Sequence, residues 1–124
     1  KNLDELEELS DLAVRALDSL LDYQDYPVPA AYNATVGRRT LGVGVINLAY
    51  YLAKNGVKYS DHSANGLVHR TFEAMQYYLL KASMELAKEK GACPKFNETT
   101  YSQGLMPIDT YKKDVDGICN EPLH

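Results

Sequence analysis

The 124-residue sequence has no tryptophan and only two cysteines, Cys93 and Cys119, and it shows no excess of positive charge. Two widely separated thiols are too few for a disulfide framework or a cysteine-based zinc site, so both are expected to be reduced structural thiols in a reducing, cytoplasmic compartment. With 13 Lys and Arg against 17 Asp and Glu, the formal charge is −4. Basic side chains are scattered among carboxylates, which leaves no footprint for a phosphate backbone and speaks against nucleic acid as a direct partner. No apolar run approaches the roughly 20 residues needed to cross a bilayer, and no membrane is expected. Repeats and low-complexity tracts are also missing, and no charged-then-apolar leader opens the chain. Its ends read as cut points within a longer protein. Two glycosylation triplets, at Asn33 and Asn97, carry little weight without a secretory signal.

What is present is helical patterning. Apolar residues at Leu3, Leu6, Leu9, Ala13, Leu17, Leu20 and Leu21 advance in threes and fours, which predicts a helix over about 3–24. Asn2 is placed to cap it, Glu5 to reach back three residues later, and Asp4, Glu5, Glu7 and Glu8 complement the positive end of its dipole. Tyr26-Pro27-Val28-Pro29 removes amide donors and fixes backbone angles, so a loop is expected over 25–37. In GRRTLGVGVIN, Leu41, Val43 and Val45 alternate with Gly42, Gly44 and Ile46. That alternation predicts a strand over 39–46, from Arg39 to Ile46, with a bare face that another backbone can approach.

A short helix is expected over 48–54, stopped at Asn55-Gly56. A second long helix is expected over 63–90, carrying Val68, Phe72, Met75, Leu79, Ala82 and Leu86 and ending at Gly91. A helix of this length would run roughly 40 Å, whereas a domain of this size has a radius of gyration near 14 Å, so it more naturally lines a larger body. Short helices are expected over 98–103 and 108–114, with Pro107 in the first turn of the latter. The fold class is therefore mostly α, with two long amphipathic helices, short helices and about one strand.

Candidate chemistry gives way to structural readings. GVGVIN lacks the third glycine of a dinucleotide loop and holds its glycines inside the apolar run. Ser60, Asp61, His62 and Ser63 are neighbours in a polar loop, where a triad cannot be held by a buried third group, so a turn or cap is expected. His69 and Glu73 share a helical face but have no third metal ligand of suitable spacing. The pairs Tyr50-Tyr51 and Tyr77-Tyr78 each lie within one helix, with one ring expected to pack inward and the other to rest at the boundary. Arg38-Arg39 is expected to form an ion pair with a carboxylate of another segment.

Four stretches together carry a more specific signal: NLDELEELSDLAVRALDSLLDYQDYPVPAA, GRRTLGVGVINLAYYLAKNGVKYSD, FEAMQYYLLKASMELAKEKGACPKF and TYSQGLMPIDTYKKD. They resemble the large, catalytic subunit of class I ribonucleotide reductases, in order and spacing, over essentially the whole chain. The resemblance implies a fragment of a ten-stranded α/β barrel, with R-x-x-G-x-G-V as a barrel strand and LAYYLA opening the helix outside it. It also implies a parent enzyme that reduces ribonucleoside diphosphates to deoxyribonucleotides for DNA synthesis through a cysteine thiyl radical. In that family the radical cysteine and the active-site reducing pair lie upstream of this segment. The phosphate loop, the radical-path tyrosines and the C-terminal cysteine pair lie downstream, and the ATP and specificity-effector sites belong to N-terminal regions. Cys93 and Cys119 match neither redox motif.

No catalytic, cofactor-binding or metal-binding residue is therefore expected here. The implied partners are the rest of the large subunit and a small subunit whose metal centre generates the radical, and the excised chain is expected to be inactive, with its 39–46 stretch either pairing with another copy of the chain or rearranging into helix, loop or disorder. A free-standing helical interaction module is the alternative reading.

Overall fold

A computed structural model of the chain describes residues 3–109. Among the described residues the helices α1 (Leu3–Tyr23), α2 (Pro29–Arg38), α3 (Leu48–Lys54) and α4 (Asn65–Lys90) follow one another, then two short 3₁₀ turns, Phe96–Glu98 and Thr100–Gln103, and residues 107–109 are again helical. Among the described residues no strand is formed, and no helix is long and apolar enough to cross a membrane. The helix expected over 108–114 lies, from residue 110 onward, outside the described residues, as does Cys119. The segment expected as one helix over 98–103 is instead divided between the two 3₁₀ turns.

The long helices α1 and α4 lie side by side and run parallel. Glu7 on α1 pairs with Lys81 on α4, Arg15 with Glu89 and Asp18 with Lys90, at sequence separations of 74, 74 and 72 residues. Both members of each pair advance together along the two helices, which is the register of parallel neighbours. Val14, Ala82 and Leu86 form the buried cluster between them, with Leu41 and Leu79 packed against it.

Within α1 the most deeply buried side chains are Ser10, Val14 and Asp18. They lie at one edge of the leucine stripe. Leu9 (61% exposed), Leu12 and Leu20 remain open to solvent. The expected stripe is real, but α4 covers only its flank, the side on which Glu7, Arg15 and Asp18 pair with residues of α4.

Two expectations are corrected. The loop over 25–37 contains α2, since Pro29 falls in its first turn, where an amide donor is dispensable, and Val28 before it is extended (φ −139°, ψ 147°) as a residue preceding proline should be. The strand over 39–46 is not formed. A strand requires a backbone partner, none exists among the described residues, and the stretch is irregular, with Ile46 90% exposed.

Candidate functional site

The densest polar constellation is where the chain leaves α2 and crosses α1. Arg39 donates from Nε to Asp18 Oδ1 (2.7 Å), from Nη1 to Asp22 Oδ1 (2.7 Å), and from Nη2 to Asp22 Oδ2 (2.9 Å) and the Asp18 carbonyl (2.8 Å). Lys90, at the end of α4, approaches the other Asp18 oxygen at 3.4 Å. Asp18 and Asp22 are one helical turn apart, so both carboxylates face the same guanidinium. Hydrogen bonding to Arg39 holds the Asp22 carboxyl below its ordinary range and raises the already high pKa of the guanidinium. Such an arginine is permanently charged and bound to two carboxylates and a backbone carbonyl, which suits it to fixing geometry rather than to exchanging protons.

A second cluster lies further along the same seam. Arg15 donates to Asp11 (2.8 Å) and, through both terminal nitrogens, to Glu89 (2.7 Å each). That fork holds the Glu89 carboxyl down, and contact with Glu7 holds the Lys81 ammonium up. Arg38 reaches Glu98 at 3.0 Å, and the amide of Lys95 donates to the Gly37 carbonyl at 2.9 Å, tying the chain after α4 back to the end of α2.

The other singled-out residues are dispersed. The Ser63 amide donates to Asp61 Oδ1 at 3.0 Å and its hydroxyl accepts from the Lys58 amide at 2.9 Å, which makes the loop a turn in front of α4. Hydrogen bonding from the Ser63 side chain and from its amide lowers the Asp61 pKa. His62 has φ +62° and is exposed, so no triad is assembled. His69 Nε2 is buried without a hydrogen-bond partner. Among the described residues no group of three His, Cys, Asp or Glu could hold a metal ion.

Tyr50 and Tyr51 are both exposed, in contrast to the expected inward ring, and the Tyr51 hydroxyl lies 3.4 Å from Thr71 Oγ1. A helix of one or two turns with only Leu52 buried has little interior to offer a ring. Tyr77 and Tyr78 meet edge to face at 5.3 Å, with Tyr77 exposed. A hypothetical side chain at Gly42 or Gly44 would meet open space, and Cys93 is a half-buried free thiol. A shallow depression of about 410 Å³ opens between α1 and α2, lined in part by Leu21, Tyr26, Val28 and Tyr32. The Tyr26 hydroxyl there already donates to the Leu21 carbonyl at 2.6 Å.

Asp18 and Asp22 as the partners of Arg39 were not named from sequence. Their signal was the spacing of Asp11, Asp18 and Asp22 by seven and four residues, which places three carboxylates along one side of α1.

Among the described residues the site thus consists of two parallel helices joined by a charged seam. The chain belongs to the ribonucleotide reductase barrel-domain family, whose model matches residues 1–122. It is 74% identical over its full length to the ribonucleoside-diphosphate reductase subunit alpha of Haemophilus influenzae, and 68% identical to that of Buchnera aphidicola from Acyrthosiphon pisum. To the ribonucleoside-diphosphate reductase 1 subunit alpha of Escherichia coli it is 76% identical over 104 residues, 84% of this chain. The chain spans only 16% of the length of the first two relatives and 14% of the third.

Proposed function

We propose that this chain is a wall segment of the catalytic barrel in the alpha subunit of a ribonucleoside-diphosphate reductase, and that the reduction of ribonucleoside diphosphates belongs to the assembled enzyme. The observation that carries the reading is the parallel pairing of α1 and α4 with the apolar, irregular 40–46 stretch lying between them in sequence. In α/β barrels successive helices run parallel because each is followed by a strand returning through the layer beneath. Arg39 is level with Asp18 and Asp22, whereas Leu41 packs against the cluster that Val14, one turn nearer the start of α1, forms with Ala82 and Leu86. The chain therefore heads back against the direction of both helices, as a barrel strand would.

On this reading the segment's task is to position. Its ion pairs hold two helices in register, and Leu41 rests on them while Val43, Val45 and Ile46 are exposed and open to neighbouring chain. The partners are the remainder of the alpha subunit and a radical-generating small subunit, the compartment is the cytoplasm, and effector nucleotides bind in other regions.

The test is to supply the isolated chain with a ribonucleoside diphosphate, a dithiol reductant and the radical-generating subunit. No deoxynucleotide above background is expected, because holding a radical against a ribose needs groups this segment does not bring together. Turnover by the chain alone would overturn the reading.

A further inference from the structure

The backbone at Arg39 is left-handed, with φ +51° and ψ +45°. That conformation crowds the Cβ of an L-residue and is ordinarily left to glycine. Three other positions in the described chain with positive φ are glycines, Gly56, Gly91 and Gly104, and the remaining two are Asn47 and His62, types that tolerate the region better than most. Arginine has no such tolerance. Its presence at this reversal implies that the side chain supplies something glycine could not.

The side chain is tied at four points to α1, and the Arg39 amide donates to the Thr35 carbonyl at 2.7 Å, closing the end of α2. One residue thus joins three things: the last turn of α2, the side of α1, and the start of the 40–46 stretch. Two residues later Leu41 packs against the cluster of Val14, Ala82 and Leu86. We propose that Arg39 is a positioning residue, a clamp whose guanidinium holds its own backbone in the left-handed conformation and so aims the 40–46 segment along the α1–α4 groove. The consequence for catalysis rests on the barrel reading above, since an aimed segment matters to the reaction only if it forms part of the chamber wall.

The experiment uses the complete alpha subunit carrying this segment, with methyl labelling at Leu41, Val14, Ala82 and Leu86. In Arg39→Gly the left-handed backbone stays permitted while the guanidinium is gone. The expected result is loss of the Leu41 nuclear Overhauser contacts to Val14, Ala82 and Leu86, with the contacts of Val14 to Ala82 and Leu86 retained. Arg39→Lys, which keeps the charge and reaches one carboxylate, restores part of the Leu41 signal.

Unchanged Leu41 contacts in the glycine variant would overturn the clamp. So would simultaneous loss of both contact sets, because Arg39 would then merely stabilise the helix pair. If Arg39→Gly does not fold, Asp22→Asn is read in the same way: weakened Leu41 contacts are expected, and unchanged ones count against the proposal. Amide exchange over 41–46 in the unsubstituted subunit separates the two ideas. Rapid exchange there would sink the barrel reading, while the methyl contacts would still decide for or against the clamp.

Discussion

The α1–α4 pair and the stretch between α2 and α4 are built from equally apolar sequence, yet they end in opposite states. Between the long helices, Val14, Ala82 and Leu86 are each 5–6% exposed and three ion-pair rungs fix the register. Across 42–62, Val43, Val45, Ile46, Tyr50 and Tyr59 face solvent, and only Leu52 is fully buried. A helix satisfies its own backbone and needs a neighbour only for one face, whereas a strand-like segment needs a neighbour for its backbone as well. The difference lies in what each segment requires from outside itself.

The comparison breaks most severely through Val14. Val14→Asp places a carboxylate in the one shared apolar cluster, and a loss of about 3–5 kcal/mol is expected, read as a fall in the urea midpoint. An unchanged midpoint would mean that the α1–α4 contact is not what holds the pair.

A smaller effect is expected from acid. Asp22 and Glu89 have folded pKa values depressed by Arg39 and Arg15, so their contribution is present above the ordinary carboxylate range and is lost as pH falls through the lower, folded values. Both carboxylates are solvent-exposed and screened, so the loss is modest. A urea titration at successive pH values should show declining stability on the acid side of the carboxylate range, a decline that Asp22→Asn makes shallower.

The smallest effect is expected at Ile46. Ile46→Ser should shift the isolated chain by no more than about 0.5 kcal/mol, because the side chain touches little. In the complete alpha subunit the same change should cost several times more if neighbouring strands bury this position. Equal effects in the two settings would show that the segment stays exposed in both, and would remove the contrast between the regions.

Legibility in the sequence differs by element. The periodicity of Leu3 to Leu21 and of Val68 to Leu86 announces the two long helices, and Gly91 announces where the second stops, because helix formation depends on residues three and four apart. The helix α2 is hidden behind two prolines, whose effect depends on position: Pro29 in a first turn permits what the same residue would break in the middle of a helix. The alternation from Leu41 to Ile46 predicts a strand, and it describes what the side chains favour. It does not supply the partner that would complete one.

The family, and with it the place of this chain inside a larger reductase subunit, is readable from residue order alone, since four long stretches in fixed spacing are far more specific than any short motif. The helices too are set locally, by spacing within a few residues. Which edge of α1 meets α4, that the two run parallel, and that Arg39 rather than a glycine turns the chain were decided only in three dimensions. Those outcomes depend on charges up to 74 residues apart finding one another, a distance over which no local pattern acts.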